Sequence, residues 1–311
     1  MVLTVTINPS VDKTYILKNF EPYSVNRAQR VMLNAGSKGI NVSRVSRILG
    51  RETFALGFVG GANGDILLKK LNEEGIKHNL IHAENFETRL NVKIMDLSLR
   101  KVTDLNEQGD PVSESDYELF VESFENEVKN CRVVAICGSL LPEMSKRAYF
   151  ELAKIAAKYD KPVFFDCGGS ILRESIKASP YCVKPNIDEF EEMLGKSDLT
   201  DEQIVEECRK IVQNYGVKSI VVTLGADGAI GVTEKEAHKI IPPHVSVTST
   251  VGAGDAFLAG MCHAYIKGMD FTKQMVLGTS CASAKVTKEG NDVPSLIELL
   301  GYTDGCRLIN Y

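Results

Sequence analysis

The stretch SKGINVSRVSRILG (residues 37–50) has apolar side chains at helical spacing and ends at a glycine. The spacing predicts an amphipathic helix, because apolar residues that recur every three or four positions share one helix face. A strand-like segment, LTVTIN (residues 3–8), precedes it across an irregular region. The chain therefore opens in the order strand, loop, helix. The apolar positions are Ile40, Val42, Val45, Ile48 and Leu49.

The same order of strand and helix recurs along the chain. FALGFVG is followed by GDILLKKLNEEG, VVAICGSL by SKRAYFELAKIAAKY, and PVFFDC by a short helical stretch. YCVKP, SIVVTLG and GAIGVT predict further strands, with helices at Ile187–Leu194 and Asp201–Tyr215 between the first two. This alternation predicts an α/β fold with a mostly parallel central sheet and crossover helices. From residue 252 onward the chain is predicted to be largely helical.

Two pairs of segments do not fit this alternation. KTYILKNF with VNRAQRVML, and RLNVKIMDL with KVTDL, alternate polar and apolar residues, and no long helix separates the members of either pair. They predict a small antiparallel β lid built from insertions at about residues 12–33 and 88–106. A lid can cover a cleft or pair with its copy, so a homodimer through the lid is expected. Residues 1–311 are expected to form one domain, because no linker or repeat interrupts them.

Composition argues against several classes of protein. The chain has 311 residues and a formal charge of −5, without a basic tract that would bind nucleic acid. No segment approaches about eighteen consecutive apolar residues and no signal peptide is evident, so no membrane association and a cytoplasmic location are expected. The eight cysteines form no Cys-x-x-Cys pair and the five histidines do not cluster with them, which predicts buried free thiols rather than a zinc site.

The stretch TVGAGDAFLAG (residues 250–260) predicts an anion site. Its small residues let the backbone approach a ligand, and the first N–H groups of the following helix have no partners within the helix. The amides of Ala253, Gly254 and Asp255, with the helix dipole, could hold a transferring phosphoryl group. The dipole would keep Asp255 ionised, so that it could take a proton from a substrate hydroxyl. On this stretch alone, a purely structural helix cap is an equal alternative for Asp255.

Two more polar clusters follow predicted strands. NAGSKGINVSRV (residues 34–45) is a second glycine-rich turn entering a helix, with Lys38 and Asn41 available to bind hydroxyls. TINPSVD (residues 6–12) places Asn8 and Asp12 just beyond the first strand, where ligands of open α/β sheets bind. A turn residue after a proline is the alternative for Asp12, and a solvated surface charge is the alternative for Lys38.

With these motifs, the sequence resembles the ribokinase-like, or PfkB, family of carbohydrate kinases from residue 1 to about residue 300. GSKGIN resembles the family's first signature, which implies substrate contacts from Gly36, Ser37, Lys38 and Asn41. VGAGDAFLAG resembles the second, which implies that Asp255 is the catalytic base and that Gly252, Ala253 and Gly254 form the anion hole. The resemblance implies a ribokinase-like three-layer fold and an enzyme that uses ATP and Mg²⁺. It leaves a requirement for K⁺ open.

The nucleotide side of the site also comes from the resemblance. VKPNIDEF implies that Asn186 and Glu189 help organise Mg-nucleotide, with Glu189 acting on the metal indirectly, and that Lys184 lies near the phosphates. VTLGADGA implies that Thr223, Gly225 and Gly228 lie beside the nucleotide. A Walker-type GxxxxGK[ST] run does not occur, so the phosphates are not expected to bind in a P-loop.

Two positions depart from the family pattern. Ser37 stands where the family usually has a second glycine, which could narrow the sugar pocket. GSLLPEM (residues 138–144) stands where sugar-phosphate members tend to read GSLPPG, which could alter the loop at Ser139, a candidate substrate contact.

Positive residues on the predicted lid bear on the acceptor. A kinase for a sugar phosphate must compensate a dianion, and arginine meets phosphate oxygens bidentately. Arg27 and Arg89 fall on lid strands, and Asn91 and Lys93 share the strand face of Arg89. Solvated lid charges are the alternative.

The whole pattern most resembles the subgroup of 1-phosphofructokinases and tagatose-6-phosphate kinases. It implies phosphorylation of a ketose phosphate, with fructose 1-phosphate first and tagatose 6-phosphate second. The competing class is a sugar-phosphate-binding regulator without turnover. Retention of Asp255 behind an intact Gly-Ala-Gly turn favours catalysis.

Overall fold

The structure is a computed structural model that describes residues 1–99, 101–290 and 292–311. In these residues the chain forms fourteen strands and ten α-helices. The strands are β1 (Val2–Thr6), β2 (Ser10–Leu17), β3 (Arg30–Gly36), β4 (Thr53–Val59), β5 (Lys77–His82), β6 (Arg89–Asp96), β7 (Lys101–Asn106), β8 (Val133–Cys137), β9 (Val163–Asp166), β10 (Cys182–Val183), β11 (Ser219–Thr223), β12 (Ala229–Thr233), β13 (Ala237–Ile241) and β14 (Arg307–Asn310). The helices are α1 (Lys38–Ile48), α2 (Gly61–Glu73), α3 (Glu114–Val128), α4 (Ala148–Lys158), α5 (Gly169–Ser175), α6 (Ile187–Leu194), α7 (Asp201–Tyr215), α8 (Ala253–Ile266), α9 (Phe271–Val286) and α10 (Leu296–Leu300).

Ten strands form one large sheet in the order β14-β13-β12-β11-β10-β9-β8-β1-β4-β5. The seven strands from β11 to β5 are parallel, and β12, β13 and β14 continue the sheet antiparallel. This confirms the predicted α/β fold. Strand β1 lies between β4 and β8, so the chain changes direction across the sheet there, and ligands of open α/β sheets bind at such a point.

Helices cover both faces of the large sheet. Successive strand residues point to opposite faces, as Phe164 and Phe165 of β9 illustrate. Phe165 packs against Tyr149 of α4, and Phe164 packs against Tyr265 of α8. One core contains side chains of α3 to α7, and the other contains side chains of α1, α8, α9 and α10. The result is the three-layer arrangement that the family resemblance implied.

The four remaining strands form a second sheet in the order β3-β2-β6-β7, the predicted lid. Each insertion is an antiparallel hairpin, and the two hairpins join through parallel pairing of β2 with β6. The central pairing is parallel because β2 and β6 continue from β1 and β5, which run in the same direction through the large sheet. Strand β3 starts at Arg30, later than the predicted segment, because Asn26 bonds to the backbone of Glu21 and closes a turn.

Several elements were absent from the sequence prediction. Helix α3 buries Phe120, Phe124 and Val128 against the sheet, although no adjoining motif had marked it. Strands β13 and β14 extend the sheet beyond the predicted strands, and β14 is exposed throughout. All eight cysteines are free, and seven of them are buried, as predicted. Among the described helices, none has both the length and the apolar character needed to cross a membrane.

Candidate active site

A cleft of about 1650 Å³ lies between the large sheet and the lid. It opens at the carboxyl ends of β1, β8 and β9, where the topology predicts ligand binding. The structure brings nearly every predicted site residue to this cleft. Those that line it are Asn8, Asp12, Ser37, Lys38, Asn41, Arg89, Asn91, Lys93, Ser139, Lys184, Asn186, Glu189, Thr223, Gly225, Gly228, Gly252, Ala253, Gly254 and Asp255.

Asp255 lies in the first turn of α8 and is 6% exposed. Its Oδ2 accepts a hydrogen bond from Asn41 Nδ2 at 2.8 Å, and the Oδ1 of Asn41 accepts one from Arg44 Nη1 at 2.6 Å. Arg44 is in turn held by both carboxylate oxygens of Glu74. The N-cap of α8 is Gly252, with no side-chain cap. Asp255 is therefore oriented by Asn41 rather than engaged as a helix cap.

The environment of Asp255 raises its pKa to about 6. Burial is the largest cause, and the charge of Asp166 adds to it, whereas Lys38 and the hydrogen bond from Asn41 act in the opposite direction. The sequence-based expectation that the helix dipole keeps this carboxyl ionised omitted burial, which has the larger effect. A carboxyl with this pKa is mostly ionised at neutral pH and is also a better proton acceptor than an exposed aspartate.

The turn before α8 presents backbone N–H groups to the cleft. Gly252 has a φ of 75°, a left-handed conformation that glycine adopts without strain. The amide of Ala253 donates to Thr250 O at 3.2 Å, so it is not free for a ligand as predicted. Among the described residues, the amides of Gly254 and Asp255 have no acceptor. They form the available part of the predicted anion site.

Two lysines and two carboxylates lie beside this turn. Lys38 Nζ is 2.7 Å from Asp166 Oδ1 and 3.2 Å from Glu189 Oε1, and Lys184 Nζ is 2.9 Å from Asp166 Oδ2. A Cβ atom placed on Gly254 would lie 3.4 Å from Lys184 Nζ, so this ammonium group is next to the free amides. Burial alone would lower the pKa of Lys38, but the two carboxylates outweigh it and raise the pKa.

Asp166 was not among the predicted site residues. It is the last residue of β9 and is 1% exposed, and its pKa is lowered because the nearby Lys184 and Lys38 charges outweigh burial. The available signal was its place in PVFFDC, at the carboxyl end of a predicted parallel strand. Its carboxylate holds both ammonium groups in place.

Asn186 and Glu189 form a capping box at the start of α6. Glu189 N donates to Asn186 Oδ1 at 2.7 Å, and Asn186 N donates to Glu189 Oε2 at 3.0 Å. The other oxygen of Glu189 faces Lys38, and its side chain is 21% exposed at the cleft. Kinase Mg²⁺ ions bind to one or two carboxylates and to substrate phosphates while keeping water ligands. Glu189 fits that role at the cleft wall, with Asp166 behind it.

The far end of the cleft suits a nucleotide. Thr223 ends β11, where its amide donates to Pro185 O. A Cβ atom on Gly228 would lie 2.0 Å from Ile240 O, so the turn between β11 and β12 requires glycine there. Apolar and small side chains complete this wall and can receive a flat base. These additional lining residues are Leu224, Ala226, Pro242, Pro243, Val245, Val247, Phe257, Ala282 and Val286.

The lid end of the cleft carries hydroxyl-binding groups. Asp12, 4% exposed, accepts hydrogen bonds from Ser10 Oγ at 2.8 Å and from Asn91 Nδ2 at 3.3 Å. Lys93 Nζ lies 3.2 Å from Asp12 Oδ2. The buried Oδ1 atoms of Asn8 and Asn91 have no hydrogen-bond partner among the described residues. Asp12 is thus a held acceptor, and the two buried amide oxygens are acceptors that the described residues leave unpaired.

Arg89 differs from Lys93 because no carboxylate of the described residues lies within ion-pair distance of it. Its Nη2 donates to Asn8 O and its Nη1 to Glu107 O, both at 3.1 Å, while its buried Nε has no acceptor in the part of the chain that is described. Burial lowers its pKa, but guanidinium remains charged in proteins. Asp12 and Glu107 stabilise this charge from beyond ion-pair distance, so Arg89 brings to the cleft a positive charge that is not held in an ion pair with a described residue.

The two residues at the start of α1 have different constraints. Gly36 is not among the residues that line the cleft. A Cβ atom on Gly36 would lie 2.1 Å from Asp12 Oδ1, so the glycine lets Asp12 pack against the turn. Ser37 has a backbone φ of 92°, a conformation that residues other than glycine rarely adopt. Its Oγ lies 3.1 Å from Ser10 Oγ and 3.4 Å from Asn8 O. The serine thus keeps a glycine-like backbone and directs its hydroxyl to the lid strand.

Arg27 is a predicted site residue that the structure does not bring to the cleft. It is exposed in the loop before β3 and does not line the cleft of its own chain. Conversely, Asp104 and Asn106 of β7 line the cleft although the sequence analysis did not select them. They lie opposite Lys93 and Asn91 in the β6–β7 ladder, so strand register was the missing information.

Comparison with known proteins agrees with this geometry. The pfkB family of carbohydrate kinases matches residues 5–297. The chain belongs to this family. A 1-phosphofructokinase of Borreliella burgdorferi is 33% identical to this PfkB protein over 93% of this chain and 92% of the relative.

Solved structures of PfkB kinases share the whole fold. A Thermotoga maritima protein described as a possible 1-phosphofructokinase has a TM-score of 0.91 at 28% identity, covering 100% of this chain and 99% of that one. Phosphofructokinase-2 of Escherichia coli, solved in complex with potassium, has a TM-score of 0.90 at 24% identity and covers 98% of each chain. As a PfkB carbohydrate kinase, this protein is an ATP-dependent sugar kinase, and the family implies the use of ATP and Mg²⁺.

Proposed function

We propose that this PfkB kinase phosphorylates fructose 1-phosphate at its other terminal hydroxyl to give fructose 1,6-bisphosphate. The observation that carries the proposal is Arg89, a half-buried guanidinium at the lid end of the cleft that forms no ion pair with a carboxylate of the described residues. A free sugar offers no charge to match it, whereas a phosphate does. The relative named 1-phosphofructokinase, at 33% identity, supports the same acceptor.

The proposed chemistry uses Asp255 as the general base. As the substrate hydroxyl oxygen forms its bond to the γ-phosphorus of ATP, its proton passes to Asp255 Oδ, and the bond from that phosphorus to the ADP oxygen breaks. Charge on the transferring group would be held by the Gly254 and Asp255 amides and by Lys184. Bound Mg²⁺ would neutralise phosphate charge, with Glu189 as its partner at the cleft wall.

A substrate panel tests this proposal. ADP release is measured in a coupled assay with fructose 1-phosphate, tagatose 6-phosphate, fructose 6-phosphate and the free sugars, each with ATP and Mg²⁺. We expect the highest kcat/KM for fructose 1-phosphate. A higher value for tagatose 6-phosphate would assign the second candidate. Tight sugar-phosphate binding without ADP release would instead support the non-catalytic regulator.

We further propose that two chains pair through their lids. Asn91 and Lys93 of β6 line the cleft, so the alternate residues Val92 and Ile94 lie on the outer face of the lid. The same face carries Val31, 49% exposed, and Leu105, 56% exposed. An apolar face on an open sheet favours pairing with a second copy.

Light scattering during gel filtration tests the pairing. We expect a dimer for the wild-type chain and a monomer for the double variant Val31→Asp with Leu105→Asp. A monomeric wild-type chain would overturn the proposal.

The free thiols and the use of ATP support the cytoplasm as the compartment of this enzyme.

A further inference from the structure

Lys285 is a buried lysine next to the anion-site turn that none of the preceding steps uses. It lies in the last turn of α9 and is 3% exposed. Its Nζ donates to Gly290 O at 2.6 Å. A Cβ atom on Gly252 would lie 3.3 Å from Lys285 Cε, so the lysine stem packs directly against the N-cap of α8. In the described parts of the chain, no carboxylate oxygen lies within ion-pair distance of Lys285 Nζ.

The end of α9 also holds the segment that leads into this turn. Val286, the neighbour of Lys285, has a carbonyl oxygen that accepts hydrogen bonds from the amides of Thr248 at 2.7 Å and Ser249 at 3.1 Å. The end of α9 thus contacts the turn at two places. The Val286 carbonyl binds the backbone just before the turn, and the side chain of Lys285 packs against Gly252. Helix α9 therefore determines where the free amides of Gly254 and Asp255 lie.

A buried ammonium group at this place has an electrostatic consequence. Burial lowers the pKa of Lys285 to about 8, while the charge of Asp255 acts in the opposite direction, so the group remains mostly protonated at neutral pH. A K⁺ ion placed where Lys285 Nζ lies would have to displace the ammonium group from the Gly290 carbonyl. The lysine charge would also repel such an ion. The position that the Lys285 ammonium group occupies therefore does not fit a bound monovalent cation.

We propose that Lys285 is a positioning residue whose ammonium group supplies the fixed positive charge beside the Gly252–Asp255 turn, and that the kinase needs no added monovalent cation. The inference rests on the proposed role of that turn in phosphoryl transfer. It goes beyond that role by assigning its electrostatic support to a side chain of this protein. The ammonium group acts through the turn and does not touch the substrate.

The first test compares monovalent cations with the wild-type enzyme. Initial rates are measured with the best acceptor of the panel in KCl, NaCl or tetramethylammonium chloride at one ionic strength. We expect kcat to differ by less than about twofold among the three salts, because the charge is already built in. A rise of about tenfold or more in K⁺ over tetramethylammonium would overturn the proposal.

The second test removes the charge. Lys285→Met keeps the length of the stem, and we expect kcat to fall by about tenfold or more while both KM values and the melting temperature change little. Lys285→Ala leaves space, so added NH₄⁺ should restore part of its kcat in a saturable manner. Lys288→Met is the matched control, because Lys288 pairs with Glu298 and does not contact Gly252.

The outcomes separate this inference from the proposed function. A Lys285→Met enzyme with wild-type kcat overturns the role of Lys285 even if fructose 1-phosphate is the substrate. Should that variant fail to fold, the salt series on the wild-type enzyme decides. A wild-type protein that phosphorylates no acceptor of the panel overturns the proposed function instead.

Discussion

The floor of the cleft and its lid differ in how far their charged groups are buried and paired. On the floor, Asp255, Lys184 and Asp166 are 6%, 3% and 1% exposed, and each charged group faces a partner. On the lid, every residue of β7 is exposed, and Arg89 forms no ion pair with a carboxylate in the described part of the chain. The floor is preorganised for one chemical step, whereas the lid is left incomplete for an acceptor. This difference suggests that reaction chemistry and acceptor choice can be changed separately.

The largest expected effect comes from removing the base on the floor. Asp255→Asn keeps the shape and the contact with Asn41 but cannot accept a proton, so we expect kcat to fall by about 10²-fold to 10⁴-fold. The affinity for ATP, measured by calorimetry, should stay within about threefold of the wild-type value, because Asp255 has no role in binding the nucleotide. Turnover near the wild-type level would show that Asp255 is not the base.

On the lid, the corresponding substitution should affect binding rather than turnover. Arg89→Ala is expected to raise the KM for the phosphorylated sugar by about tenfold to a hundredfold, because a charge-assisted bidentate contact is lost. The KM for ATP should change much less. Arg307→Ala, an exposed arginine on β14, is the matched control and should behave like the wild type. Equal increases in both KM values for Arg89→Ala would refute the phosphate contact.

The pH dependence tests whether the floor is tuned as the structure indicates. The base must be ionised, and the pKa of Asp255 is raised to about 6. We therefore expect kcat/KM to be constant above this pH and to fall about tenfold per unit below it.

Asn41→Leu removes the hydrogen bond that favours the ionised carboxylate of Asp255, so the pKa of Asp255 should rise. The acid limb of the kcat/KM profile should then move to higher pH by about one unit. The pH profiles of both enzymes, measured at a saturating concentration of ATP, give the shift. A limb that stays in place would mean that Asn41 does not tune the base.

The smallest effect is expected where floor and lid meet. Ser37→Gly relieves a positive φ but loses two weak contacts of the hydroxyl, so we expect stabilisation of no more than about 1 kcal/mol and kcat/KM within about threefold. Urea unfolding and the coupled assay measure the two quantities. Gly36→Ala provides the contrast, because its Cβ would overlap Asp12 and should impair both stability and sugar binding. A large gain in sugar affinity for Ser37→Gly would show that the serine narrows the pocket.

The main sheet was predictable because its signals are local. Several parallel strands are short apolar runs that precede a helix with one apolar face, as in β8 and α4, and burial on both faces leaves few alternatives for such a pattern. The lid was predictable in type but not in its limits, since exposed strands such as β3 and β7 have weak patterning. Helix α3 and strands β13 and β14 lay outside any motif and were missed.

Within the site, sequence motifs selected Asp255, Lys38 and Asn41, because small residues and polar groups after strands have a limited set of uses, whereas Lys184 was selected through the family resemblance alone. The motifs did not select Asp166, although it holds both lysines, because an aspartate at a strand end has many roles. The sequence favoured a phosphate contact for Arg89 over one for Lys93, but it did not show which of the two would pair with a carboxylate, since they share a strand face. Asp12 pairs with Lys93 alone, and that fact depends on strand register.

By itself, the sequence determined the α/β architecture, the glycine-rich turn and the acid behind it, because backbone periodicity and small residues act over a few positions. Tertiary structure alone decided the electrostatics. Burial and Asp166 raise the pKa of Asp255, Asp12 pairs with Lys93 while Arg89 forms no ion pair with a described carboxylate, and Lys285 reaches Gly252 from another helix. Each of these depends on charges and surfaces that come within a few ångströms only after residues far apart in the chain have packed together.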